Sequence, residues 1–210
     1  MQSPPEEQRK GLRAAEGGAV WVAAFAIGVV VLTVLPLLQK RFLKAPPPIA
    51  PFGEWRLATL DDRRPMGSAE LAGQVMLISF APSPCDAACV DRQLVFARGV
   101  DHTDDLADRV RHVTITRADN EGLKAKAIGR WHVLAGSDEQ LAPVLDALHT
   151  AWRLRVGTDA GVSVQERLSL PAVVVVDQLG AVRDFWRDDA AGRGNAINAA
   201  RLLATRGPQP

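Results

Sequence analysis

Val75-Met76-Leu77-Ile78-Ser79-Phe80, then Ala81-Pro82-Ser83-Pro84, then Cys85-Asp86-Ala87-Ala88-Cys89: this stretch decides the fold. Its first six residues form a nearly continuous apolar run between Gly73 and Pro82, the pattern of a strand buried on both faces. Both faces must then carry helices. The prolines end the strand, and Asp86 to Arg98 reads as a helix with the cysteines at its opening. Unsatisfied N–H groups and the positive end of the helix dipole favour a thiolate there, which makes Cys85 the expected attacking sulfur. Three intervening residues place Cys89 about one helical turn away on the same face. Such a pair can close a disulfide, hold one soft metal ion between two thiolates, or pack as two small hydrophobes. The 210-residue chain has two cysteines, so they cannot staple distant loops and read as a working pair.

Working outward, Trp55 to Leu60 reads as a short strand, followed by turn chemistry at Asp61 to Pro65 and a short helix near Ser68 to Ala72. Downstream, strands are expected at His112 to Thr116 and Trp131 to Leu134, with a helix over Asn120 to Ile128 between them. Ser137, with Gln140 three residues on, has the form of a capping box. It opens a helix whose face carries Leu141, Val144, Leu145, Leu148 and Trp152, with Pro143 in its early turns. Ala172 to Val176 (AVVVV) is the strongest strand, Asp177 to Gly180 a turn, and Ala181 to Trp186 the returning strand. A helix over Asn195 to Thr205 closes the domain. Strands alternating with helices and ending in a hairpin describe an α/β sandwich around a mixed central sheet.

At the other end of the chain, Ala19 to Leu38 has 20 residues without a charge, enough at 1.5 Å per residue to cross hydrocarbon about 30 Å thick. It reads as one uncleaved transmembrane helix, because no A-x-A-like site follows. Basic residues flank it equally, with Arg9, Lys10 and Arg13 before it and Lys40, Arg41 and Lys44 after, so charge does not set the orientation. The proline-rich stretch Ala45 to Pro51 should run extended as a linker. The expected organisation is a tail at 1–18, a span at 19–38, a linker at 39–51 and the sandwich at 52–206. With 25 basic and 24 acidic residues and no Lys/Arg run, nucleic-acid binding is disfavoured.

Several of these segments together resemble the Sco/SenC family of thioredoxin-like proteins, over about residues 52 to 187. Trp55-Arg56-Leu57-Ala58-Thr59-Leu60-Asp61 resembles the family's opening F-x-L-x-D, and Val75 to Cys89 its strand ending in C-P-x-x-C-P. Trp131 to Gly136 resembles W-x-F-L-T-G, and Val173 to Gly180 resembles Y-L-I-D-x-x-G. The resemblance implies a thioredoxin-like fold and a membrane-anchored redox or copper-handling assembly factor for cytochrome c oxidase. By the family's layout, the domain faces the periplasm from the inner membrane. Cys85 and Cys89 would be both the catalytic thiols and the ligands for Cu(I). The departures are specific. Asp86 and Val90 stand where the family has prolines, and the segment between Thr116 and Trp131 is shorter. Ser169 stands where the family's third copper ligand, a histidine, is expected; a hydroxyl is a poor donor for copper, so copper binding is weakened. Pro171 resembles the cis-proline that faces the cysteines in thiol oxidoreductases.

Two further readings stay open beside the assembly factor. One is a membrane-tethered thiol-disulfide reductase acting without copper on an extracytoplasmic thiol protein, an oxidoreductase that Pro171 favours. The other is a non-catalytic interaction module. His102 with Asp101, Asp104 and Asp105 reads as acidic residues opening a helix at Thr103. His132 and His149 read as satisfied or half-exposed histidines on a strand and a helix, and Met66 and Met76 as core or loop filler; Gly192-Arg193-Gly194-Asn195 is phosphate-like only superficially, since no strand precedes it and Asn195 is an adequate cap for the last helix.

Overall fold

The structure is a computed structural model that describes residues 45–103, 106, 108–156, 167–168 and 172–206, together with Phe25, Gly28 and Val29. The chain divides into two compact units, residues 1–44 and 45–210. In the first unit the three described residues are helical. The expected span at 19–38 otherwise lies outside the described residues, among which no helix is long and apolar enough to cross a membrane.

The second unit is built on an eight-stranded mixed sheet: β1 (Ala50–Pro51), β2 (Arg56–Thr59), β3 (Pro65–Gly67), β4 (Val75–Phe80), β5 (Val110–Arg117), β6 (Trp131–Gly136), β7 (Ala172–Val176) and β8 (Ala181–Arg187). Their order is β1-β8-β7-β4-β5-β6-β2-β3. β4, β5 and β6 run parallel, while β7 lies antiparallel to β4 and β8 antiparallel to β7. This is the expected thioredoxin-like α/β sandwich. Among the described residues three long helices accompany it: α1 (Ala87–Asp101), α2 (Asp138–Val156) and α3 (Ala190–Arg206). Because side chains alternate along a strand, β4 sends Met76 and Ile78 into the core shared with α2, and Val75 and Leu77 into the core shared with α1 and α3. The near-continuous hydrophobicity of VMLISF follows from that double burial.

The strand at 75–80 and the strand at 172–176 fall where the sequence places them. The capping box at Ser137 also forms: the Ser137 N–H donates to Gln140 Oε1 at 3.0 Å, and the Gln140 N–H to Ser137 Oγ at 3.4 Å. Three expectations fail. Residues 68–72 form turns, since the Arg64-Pro65 region pairs as β3 against β2 and leaves too little chain for a helix. Residues 120–128 contain a 3₁₀ turn, Glu121–Leu123, because Ala125 takes a positive φ of 53° that breaks a right-handed helix. The last helix starts at Ala190 rather than Asn195, with Asp189 Oδ1 accepting the Gly192 N–H at 2.8 Å. Gly192 is needed inside that helix because a Cβ there would collide with the Arg187 carbonyl.

Candidate functional site

Cys85 and Cys89 form a disulfide with Cα atoms 5.4 Å apart. Asp86, in extended conformation, is the N-cap of α1, and its Oδ1 accepts the Cys89 N–H at 2.8 Å. Cys89 therefore sits in the first helical turn, while Cys85 immediately precedes the cap, at the helix opening as the sequence places it. The bridge joins the end of the loop leaving β4 to the start of α1. Cys85 is 5% exposed and Cys89 3%, so burial does not set one sulfur nearer solvent than the other. The loop contains a cis Ser83-Pro84 peptide bond. Pro171 and Ser169 lie outside the described residues.

Asn120, which the sequence reading took for the start of a helix, holds the Cys85 loop. It is 1% exposed. Its Oδ1 accepts the Cys85 N–H at 3.3 Å, and its Nδ2 donates to the Pro82 carbonyl at 2.9 Å and to Thr116 Oγ1 at 2.7 Å. Thr116 in turn donates to the Ala81 carbonyl at 3.0 Å. Two residues on, Gly122 lies against the Cys85 carbonyl so closely that a Cβ would collide with it. Asp119 accepts from the Ser83 hydroxyl at 2.9 Å. The turn chemistry of Asp119-Asn120-Glu121-Gly122 was the available signal for this clamp.

One turn beyond Cys89, the same face of α1 buries Gln93 in a polar network with Ser79, His112, Thr114 and Trp131. Ser79 Oγ and Thr114 Oγ1 lie 2.8 and 3.1 Å from Gln93 Oε1, Ser79 Oγ is 2.9 Å from His112 Nε2, and Trp131 Nε1 donates to Thr114 Oγ1 at 2.8 Å. Gln93 Nε2 donates to the Phe80 carbonyl at 3.1 Å. With His112 protonated on Nε2, the imidazole donates to Ser79 and both hydroxyls donate to Gln93. The Nδ1 lone pair is then left without a partner. The other tautomer would strand a buried N–H, which costs more. Burial holds His112 neutral, pushing its pKa down to about 3, with smaller contributions from Arg193 and His132. Trp131 stacks on the ring and Phe96 meets it edge to face.

The remaining histidines stand apart from the pair. His132, half-buried on β6, has its pKa lowered by burial and then by Arg111 and Arg64. His149 is half-buried on α2. His102 caps the end of α1, its Nδ1 2.8 Å from the Arg98 carbonyl, and Asp101 pairs with Arg130 at 3.3 Å. Among the described residues, no three His, Cys, Asp or Glu side chains are grouped to hold a metal. Reduced, Cys85 and Cys89 would offer copper two sulfur donors, enough for Cu(I) in a site of low coordination.

No family model matches the chain, and no curated protein matches it by sequence. Solved structures do. A SCO1/SenC family lipoprotein from Bacillus anthracis superposes with a TM-score of 0.54 at 16% identity, covering 77% of this chain and 99% of that one. BsSco, a member of the Sco family of cytochrome c oxidase assembly proteins with an identified disulfide switch, gives 0.56 at 12% identity over 79% and 99%. The fold is that of the Sco/SenC structures. Copper-bound yeast Sco1 has the same Sco/SenC fold, with a TM-score of 0.51 at 14% identity over 77% of this chain and 96% of that one.

Proposed function

We propose that this chain is a Sco/SenC-type assembly factor that works by thiol-disulfide exchange through Cys85 and Cys89. The observation that carries the reading is the disulfide itself, closed between the loop after the central strand β4 and the first turn of α1. In the reduced protein, the Cys85 thiolate attacks a substrate disulfide and forms a mixed disulfide, releasing one substrate thiolate. Cys89 then attacks Cys85 Sγ, the second substrate thiolate leaves, and the two electrons lost by the pair have reduced the substrate. An external dithiol returns the pair to its starting state. Asn120 and Asp86 fix the backbone at the two sulfurs throughout. The substrate class is an extracytoplasmic thiol protein, in the first instance the copper-site subunit of cytochrome c oxidase. Ala19 to Leu38 would anchor the chain in the inner membrane with the domain on the periplasmic side.

Copper handling is the second reading, favoured by the two sulfurs and by the copper-bound relative of the same fold. Pro171 remains the candidate for shaping the substrate-facing side of the pair, and Ser169 the position where a third ligand is missing. The test uses the full chain in nanodiscs with a disulfide-bearing peptide. Cys89→Ser should accumulate a mixed disulfide through Cys85, and Cys85→Ser should form none. An anaerobic Cu(I) titration against a chelator separates the second reading. If wild type binds one copper, Cys85→Ser loses it and Ser169→His tightens it, copper is cargo as well. If neither mixed disulfide nor copper is found, the interaction-module reading takes over.

A further inference from the structure

Between the two sulfurs the chain carries one charge. Pro84, Asp86, Ala87 and Ala88 are exposed around the buried bridge, and of these Asp86 is the charged residue. Its carboxylate is fixed in place, because Oδ1 accepts the Cys89 N–H at 2.8 Å while its own backbone follows directly on Cys85. A carboxylate has about four acceptor sites, so this one bond leaves most of its capacity facing solvent. The helix start contributes about half a positive charge, which offsets part of the full negative unit and leaves the mouth of the pair negative even before a thiolate forms.

The charges on the flanking elements are balanced. On α1 the exposed neighbours Asp91 and Arg92 have opposite signs. In the segment that clamps Cys85, Glu121 pairs with Lys124 at 3.2 Å, and Asp61, which accepts the Ala125 N–H at 2.6 Å, answers the nearby Lys126. Asp119 shares Arg117 with Asp138 at 3.7 and 3.5 Å, and Arg63 on the Ala118 carbonyl at 3.4 Å supplies the second cation. Asp86 makes no ion pair among the described residues. A disulfide approaching Cys85 through water therefore meets one uncompensated negative charge. Two unit charges about 6 Å apart in water interact by an energy worth about threefold in rate, so a cation in place of an anion on the incoming partner is worth about tenfold. We propose, resting on the exchange reading above, that Asp86 is a specificity-determining residue: it directs the pair to disulfides flanked by Lys or Arg and away from those flanked by carboxylates.

The probes are three small disulfides: cystamine, with an ammonium group on each side, dithiodipropionate, with a carboxylate on each side, and the neutral hydroxyethyl disulfide. Reduced full chain in phosphatidylcholine nanodiscs is mixed with an excess of each at neutral pH, quenched in acid and assayed for free thiol. Cys85 attacks one probe sulfur and the first probe thiolate leaves; Cys89 then closes the bridge and releases the second. Each event oxidises the pair by two electrons and reduces one probe. The rate with cystamine is divided by the rate with dithiodipropionate, and the leaving-group chemistry in that ratio is common to every variant. At about 0.02 M salt the ratio for wild type should exceed that for Asp86→Asn, which keeps the cap, by about tenfold. At about 1 M salt, where charges are screened beyond about 3 Å, the excess should fall below about twofold. Asp86→Glu keeps the charge and should keep at least about threefold of the excess. Hydroxyethyl disulfide should oxidise all three proteins at similar rates, which certifies that each is folded and competent. Equal ratios in wild type and Asp86→Asn, an excess that survives high salt, or its loss in Asp86→Glu overturns the proposal and leaves the exchange reading standing. If none of the three probes oxidises wild type, the exchange reading falls and this proposal falls with it.

Discussion

Ser79 and Phe80 are neighbours in β4 and point to opposite faces of the sheet, and their surroundings could hardly differ more. Ser79 enters a buried polar network in which the helix α1 is tied to β4 and β5 through Gln93. Phe80 enters the edge of an open apolar cavity under α2. A buried polar network tolerates little displacement, because a broken bond strands a desolvated group, whereas apolar contacts lose energy gradually. The face that positions Cys89 is thus the one least tolerant of substitution, and the face under α2 has volume to spare.

Substitutions can break this contrast from either side. Gln93→Leu removes the bond to the Phe80 carbonyl and strands the Ser79 and Thr114 hydroxyl protons, so denaturant unfolding should show a loss of about 3 kcal/mol. Acid should attack the same face through His112. Its folded pKa lies below its unfolded value, so its contribution is complete above about 6.5 and is lost as the pH falls toward 3. Between pH 6.5 and 5 that amounts to about 2 kcal/mol, and the difference from His112→Gln across that window isolates it. Asn120→Ala should cost about 1–2 kcal/mol, and it should also speed alkylation of the reduced Cys85, which loses its tether. On the open face, Ala172→Leu should leave stability unchanged or raise it by up to about 1 kcal/mol, because it adds apolar contact without displacing any. If Gln93→Leu and Ala172→Leu had equal effects on unfolding, the contrast between the faces would be gone.

The parts of the fold that could be read from the sequence are those in which a side-chain pattern acts over several residues. VMLISF and AVVVV declare double burial, and Ser137 with Gln140 declares a helix start, so these elements fall where expected. The helix read at 120–128 failed because one residue, Ala125, adopts a left-handed conformation that composition does not reveal. The late start given to α3 came from taking Asn195 as its cap, whereas the cap is Asp189 and Gly192, inside the helix, lets it approach the Arg187 carbonyl. At the site, the two cysteines were legible as a pair. The Asn120 clamp was not, since its partners lie 35 and 38 residues away in sequence. His112 was read as no more than the start of a strand, and nothing local separates it from an exposed strand histidine; its role depends on Gln93 arriving from another element.

The central claim, that Cys85 and Cys89 are an exchanging pair, is tested most directly by the reduction potential of the full chain in a buffered thiol-disulfide series, read by the fraction of free thiol. The account predicts a potential between about −180 and −300 mV, within reach of known dithiol donors and acceptors. It also predicts that Asp86→Asn raises the potential by on the order of 10 mV: the cap to the Cys89 N–H is kept, while the negative charge that opposes a thiolate beside the helix start is removed. A potential far below −300 mV, unmoved by Asp86→Asn and with no exchange on the hour scale, would mark an inert structural bridge and contradict the account.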